Sequence, residues 1–210
     1  MIKDLNLIYE KLFASFGPQG WWPAETPFEV IVGAILTQNT NWLNVEKAIA
    51  NLKQHDLLTP KKLYALPLKK LSLLIKPAGY YNIKAARLRE FLKFLFSDYQ
   101  GSLKKMASLD TADLRRQLLS IKGIGPETAD SILLYAFKKP IFVIDAYTRR
   151  MLERHKLVKE KAVYDNLQKL FMKNLIRGER LFNQYHALLV RLAKEFCVKN
   201  NPRCQLCPIK

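Results

Sequence analysis

Acids are scarce in this sequence: 18 Asp and Glu stand against 35 Lys and Arg, a formal charge of +17 over 210 residues. That imbalance favours a polyanionic partner, nucleic acid first and an anionic membrane surface second, with a merely basic soluble protein as the plain alternative. Long apolar runs are missing as well. None approaches the roughly 18 residues that a membrane-spanning helix needs, and the N-terminus, MIKDLNLIYEKLF, is charged and amphipathic, unlike a targeting segment. Cysteine is limited to positions 197, 204 and 207, which excludes a secreted disulfide framework and leads us to expect a cytoplasmic protein. Low-complexity tracts and internal repeats are absent, and a hydrophobic share of 49% is ample for a core, so disorder is excluded. Strand-like sequence is confined to IFVID (141–145), and one short strand has nothing to pair with.

What is present reads as helix. Ile2, Leu5, Ile8, Leu12 and Phe16 recur at helical spacing until GPQG (17–20) stops them. Thr26-Pro27-Phe28-Glu29 combines an N-cap, a first-turn proline and a capping-box acid, so the apolar VIVGAIL (30–36) behind it is expected to be a buried helix. Thr59-Pro60 repeats the signal. KPAGYYN (76–82) reads as a loop and IKAARLREFLKFLF (83–96) as a helix. Asp110 and Asp113 open a helix ending at Lys122, and Pro126 begins another that runs to about Phe137. The expected fold class is all-α.

In IKGIGPETAD (121–130) two glycines interrupt helical sequence. Gly123-Ile124-Gly125 permits a tight turn and close approach by another molecule. The new helix start at Pro126 adds unpaired N–H donors and partial positive charge, with Lys122 beside them. The assembly suits one phosphate held without reading sequence, although an ordinary helix–turn–helix joint would use the same glycines. A dinucleotide fingerprint is the weaker rival, because no strand precedes the turn and Thr128 stands at the third glycine's place. Twenty residues past Gly125, Asp145 precedes AYTRRMLERH (146–155), where it is expected to cap a helix. A carboxylate at a helix start can also face an open cleft.

The order of helix, GIG hairpin, helix, short linker and V-I-D resembles the helix-hairpin-helix DNA glycosylases of the endonuclease III superfamily. LTQNT (36–40) looks like that superfamily's early-helix motif, with Gln38 at its strand-facing glutamine; Gln38 and the adjacent Asn39 are candidate DNA contacts, with a polar role at the helix end as an equal alternative. The resemblance runs from about residue 20 to the C-terminus. It implies a two-lobed fold, with a six-helix barrel lobe over 19–139 and a second lobe joining 1–18 to 140–210. It also implies a monomer, nucleoid-associated, with double-stranded DNA across the cleft, and it gives Asp145 the role of breaking the N-glycosidic bond. The chemistry suits the residue: base departure builds positive charge on the sugar, and one ionised carboxylate stabilises that charge and orients water. The base must first leave the stack. Lys84, Arg87, Lys122, Lys138, Arg149 and Arg150 are candidates for phosphate contacts.

In the superfamily's bifunctional members a lysine two residues past the second glycine forms a Schiff base. That place here is Glu127, which cannot do so. The expectation is a monofunctional enzyme; a bifunctional glycosylase/lyase on oxidised bases and a non-catalytic DNA-binding module are the rivals. Trp21-Trp22-Pro23, LTQNT, Trp42, KPAGYYNIKA and GIG-x-E-x-AD are together similar to the 3-methyladenine DNA glycosylase III group. The resemblance makes Trp21, Trp22, Pro23 and Trp42 the base pocket, although tryptophans are more often core residues. Aromatic faces attract the positive charge of a 3- or 7-methylated purine.

Cys197, Cys204 and Cys207 have the spacing C-x6-C-x2-C, and soft thiolates this dense point to a metal. They match the first three ligands of the superfamily's [4Fe–4S] loop; the fourth would fall three residues past Lys210. A labile cluster, zinc with an outside ligand, and no metal all stay open. Nothing in the sequence recruits His186.

Overall fold

The computed structural model describes residues 4–210. Ile2, the first member of the N-terminal apolar series, lies outside the described residues. Among the rest are twelve α-helices and no strand. In chain order they are α1 (Leu5–Phe16), α2 (Pro27–Leu36), α3 (Trp42–Gln54), α4 (Pro60–Ala65), α5 (Leu68–Leu74), α6 (Tyr81–Tyr99), α7 (Leu103–Ala107), α8 (Thr111–Ser120), α9 (Pro126–Ser131), α10 (Ala146–Arg154), α11 (Tyr164–Asn174) and α12 (Glu179–Glu195). Short 3₁₀ turns occupy Lys76–Ala78 and Cys204–Leu206, and a π-helical turn, Ile132–Ala136, follows α9. The helix expected from Pro126 to Phe137 thus changes its pitch at Ile132. The chain forms two compact units: Ala24–Lys138, and Met1–Pro23 with Lys139–Lys210.

Unit Ala24–Lys138 is built around α2, in which every residue from Phe28 to Leu36 is buried. The helix is apolar all round because α3, α6, α9 and the Ile132–Ala136 turn all pack on it. Its start follows the capping chemistry of the sequence: Thr26 accepts from the Glu29 N–H at 3.1 Å. Glu29 in turn accepts from the Glu25 N–H at 3.1 Å and meets Lys53 at 2.9 Å. Its far end is held by Lys84. That side chain is buried, and its Nζ donates to Leu36 O at 2.8 Å and Ala78 O at 2.7 Å. Lys84 therefore fastens α6 to the end of α2 and is removed from any phosphate, contrary to the expectation from charge. Burial, with Arg87 nearby, lowers its amine to about 8.

The unit of Met1–Pro23 and Lys139–Lys210 packs α12 against α10 and α1. Phe142 stacks on Phe171 with ring centroids 3.9 Å apart and meets Phe182 and Tyr185 edge-on. Burying a side chain of this size contributes about 1.5–3 kcal/mol. The Tyr185 hydroxyl donates to Leu5 O at 2.8 Å, tying α12 to α1. Residues 141–144 are buried but unpaired with any strand. Side chains serve their backbone instead: Gln168 donates to Phe142 O at 2.6 Å, and the Ile144 N–H donates to the Tyr164 hydroxyl at 3.3 Å. This braced segment delivers the chain to Asp145.

Candidate functional site

The hairpin between α8 and α9 uses its two glycines differently. Gly123 has φ +92°, a conformation that favours glycine, and an added Cβ would lie 2.5 Å from Arg87 Cγ. Gly125 has φ −93°, and an added Cβ would meet nothing within 4 Å. Ile124 is buried beneath the turn, while Lys122, Gly123, Gly125 and Glu127 are exposed. Glu127 lies in the first turn of α9, where an acid complements the helix dipole. Below the turn, Arg115 of α8 grips Asp130 of α9 through Nε–Oδ1 at 2.7 Å and Nη2–Oδ2 at 3.1 Å. This fork between a fully buried carboxylate and a mostly buried guanidinium fixes the two hairpin helices to each other.

Gln38, just past α2, is bound into the same hairpin. Its Nε2 donates to Gly123 O at 3.1 Å and Thr128 Oγ1 at 2.9 Å, and its Oε1 accepts from Arg87. Asn39 is exposed with φ +53°. Trp42 opens α3 half-buried, its indole N–H donating to Glu46 at 2.7 Å.

Asp145 is the N-cap of α10, as its position in the sequence predicts. Its Oδ1 accepts from the Thr148 N–H at 2.7 Å. Its Oδ2 lies 3.6 Å from Nε2 of His186 in α12, and its side chain keeps 13% of its surface exposed. Burial lowers the pKa of His186, outweighing the opposite pull of Asp145, so the imidazole is held neutral. The carboxylate thus has a fixed orientation and some access to solvent. Trp21 and Trp22 are half-buried with ring centroids 5.3 Å apart at 53°, and Pro23 is exposed. These three belong to the same compact unit as Asp145; Gln38, Asn39, Trp42 and the hairpin belong to the other.

Residues 32–177 match the profile of the HhH-GPD superfamily base excision DNA repair proteins. The chain belongs to this superfamily. It is 52% identical over 205 residues to a protein of Methanocaldococcus jannaschii named as a candidate DNA repair glycosylase, covering 97% of this chain and 92% of that one. Identity to the endonuclease III of Thermotoga maritima is 30% over 184 residues, covering 88% and 81%. The structure of an H. pylori 3-methyladenine DNA glycosylase bound to 1,N6-ethenoadenine superposes with a TM-score of 0.79 at 32% identity, covering 91% of this chain and 98% of that one. This HhH-GPD chain is accordingly a DNA glycosylase of the endonuclease III superfamily, with that superfamily's all-α fold and DNA as its partner. Among the described residues no helix is long and apolar enough to cross a membrane.

The cysteine loop is built onto α10. Arg150 donates to Cys197 O at 2.7 Å, and Arg154 donates to Val198 O at 2.7 Å and Cys197 Sγ at 3.3 Å. Arg149 donates to Ala162 O. Arg149 and Arg150, expected at phosphates, are thus engaged with backbone carbonyls, as Arg87 is with Gln38; Lys122 and Lys138 are exposed. Cys197 and Cys207 are buried and Cys204 is exposed. Burial raises the Cys207 thiol, Cys197 and Cys204 add to the rise, and the Ile209 N–H opposes it. By residue type the three thiols suit a thiolate-ligated group, one donor short of a four-cysteine set. No group of three or more His, Cys, Asp or Glu among the described residues is arranged around a single metal ion.

The sequence reading missed His186, which is separated from Asp145 by two helices.

Proposed function

We propose that this HhH-GPD glycosylase is monofunctional and releases alkylated purines of the 3-methyladenine type, leaving an abasic site. The observation that carries the reading is the pairing of roles at two positions. Asp145 presents an oriented, partly exposed carboxylate beside a neutral imidazole, while Glu127 stands where a Schiff-base amine would be needed.

In this reading the hairpin residues Lys122, Gly123, Ile124 and Gly125 hold a backbone phosphate, and the damaged nucleotide is extruded from the stack. The C1′–N bond breaks with its electron pair leaving on the base. Asp145 stabilises the cation that develops at the sugar and orients the water whose oxygen bonds C1′ as its proton is released. Trp21, Trp22, Pro23 and Trp42 are the proposed base pocket, since aromatic faces favour a cationic purine. The similarity to the H. pylori enzyme supports this choice of substrate. Cys197, Cys204 and Cys207 would hold a [4Fe–4S] cluster with one further thiolate; such a group, anchored through Arg150 and Arg154, would supply structural order to the loop behind α10. The protein is proposed to work as a monomer on chromosomal DNA.

The similarity to endonuclease III favours a second reading, a glycosylase with strand-nicking lyase activity. One set of experiments separates them. Single-turnover release from duplexes each carrying one lesion should be largest for methylated purines, should vanish in Asp145→Asn with DNA binding retained, and should give no borohydride-trapped adduct. A trapped covalent adduct would establish the lyase, and unchanged release by Asp145→Asn would remove the proposed chemistry.

A further inference from the structure

We propose that Glu46 is a specificity-determining residue that adapts the Trp42 ring to a positively charged base, acting through Trp42 and not by touching the reacting atoms. The proposal rests on the base-pocket reading above and deepens it.

Trp42 is the first residue of α3 and is half-buried. Asn41 caps that helix, accepting from the Asn44 N–H at 3.0 Å, so the backbone beneath the ring is fixed. An indole N–H can only donate. Here it donates to Oε1 of Glu46, one helical turn further on, at 2.7 Å, the short distance of a bond to an ionised acceptor. The bond holds the ring in one rotation and places a full negative charge at its edge. An anion there pushes electron density onto the ring faces, and those faces attract a cation through their negative quadrupole.

Glu46 is exposed, and among the described residues no Lys or Arg pairs with it. A bare carboxylate repels phosphates, which is a cost in a chain of +17 whose partner is DNA. Helix stability does not account for it, since an exposed i,i+4 pair contributes little. A cationic purine on Trp42 would be attracted by the same charge. A neutral base of the same shape would gain nothing from it.

The base does not stay charged through the reaction. When the C1′–N bond breaks, its electron pair leaves on the base, which departs neutral while positive charge passes to the sugar. Glu46 therefore strengthens the hold on the extruded base before cleavage more than in the transition state. Its loss should appear in the half-saturating enzyme concentration, and the rate at saturation should not fall.

The test is single-turnover release of 3-methyladenine from duplex methylated with dimethyl sulfate, over a range of enzyme concentration. Beside it runs equilibrium binding to a duplex carrying 3-deaza-3-methyladenine, a neutral isostere. Glu46→Gln keeps an oxygen for the indole N–H and removes the charge. It should raise the half-saturating concentration for the cationic base by about 5-fold, without lowering the saturating rate or weakening binding to the neutral isostere. Trp42→Phe has no N–H to tie Glu46, so adding Glu46→Gln to it should cost less than about twofold more. Equal weakening on both duplexes would show a merely structural role and overturn the proposal, as would a loss confined to the saturating rate. If the wild type releases 3-methyladenine and Glu46→Gln does so at the same half-saturating concentration, the role of Glu46 alone falls. If the wild type releases none, the alkylpurine reading falls and this proposal with it.

Discussion

Nε2 of His186 stands 3.6 Å from Oδ2 of Asp145, joining α12 to the cap of α10 across 41 residues of chain. The other carboxylate oxygen is fixed by the Thr148 N–H, so the two contacts together set the orientation of the group. His186→Leu is expected to slow single-turnover base release by about 10- to 100-fold, the order of effect that misplacing a catalytic group has, with little change in affinity for abasic duplex. The same pair makes a prediction about stability. Burial lowers the His186 pKa below its ordinary 6.5, so near pH 6 the unfolded chain binds more protons than the folded one. Stability should be fully present above about 6.5 and decline as pH falls toward the lowered value. Burial also lowers His155. Denaturant titrations from pH 8 to 5 should therefore show a slope that His186→Asn reduces and does not erase.

The two hairpin glycines should respond oppositely to alanine. Gly123→Ala combines φ +92° with a clash against Arg87 and should destabilise the protein by about 1–3 kcal/mol. Gly125→Ala has an ordinary φ and open space above it, so its melting temperature should match the wild type. On the proposed phosphate-binding role of the hairpin, it should still bind duplex DNA more weakly, because the new methyl would meet the phosphate. Calorimetry and binding titrations on both variants check the contrast.

Arg115 and Asp130 form a charged fork at the base of the hairpin. Arg115→Met removes both hydrogen bonds that the guanidinium makes to this fully buried carboxylate, which should cost about 3–5 kcal/mol in urea unfolding. The exposed pair of Arg116 with Asp113, also on α8, is the internal control. Arg116→Met should change stability by less than about 1 kcal/mol.

Lys84 donates to two carbonyls, one at the end of α2 and one in the 3₁₀ turn before α6. Lys84→Met deprives both of a donor and should destabilise by about 2 kcal/mol, within the range for stranded buried polar groups. Because burial lowers the amine to about 8 from 10.5, the wild type should gain stability from this group as pH rises from about 8 to 10.5, where the unfolded chain holds the extra proton. The Lys84→Met variant should lack that gain.

Several features were legible one helix at a time. Thr26, Thr59 and Asp110 cap helices where their motifs place them, and Asp145 does the same. The GIG turn joins two helices as expected. Other features were not legible. IFVID forms no strand, as its want of a pairing partner predicts, but nothing local indicates that Gln168 and Tyr164 provide for its backbone. The pitch change at Ile132 has no local signal, since ILLYA is an ordinary apolar helical run. Four cations expected at phosphates point instead to protein acceptors. Charge is a property of the residue, but its partner depends on what the fold brings near.

The sequence by itself determined the helical class, the helix starts, the glycine turn and the candidate carboxylate, because each depends on bonds formed within about four residues. Only the tertiary structure decided that His186 accompanies Asp145, that Gln38 and Arg87 brace the hairpin, and that Lys84 is a buried tie. Those pairings join residues tens of positions apart, and a polar group leaving water takes whatever partner packing sets within reach.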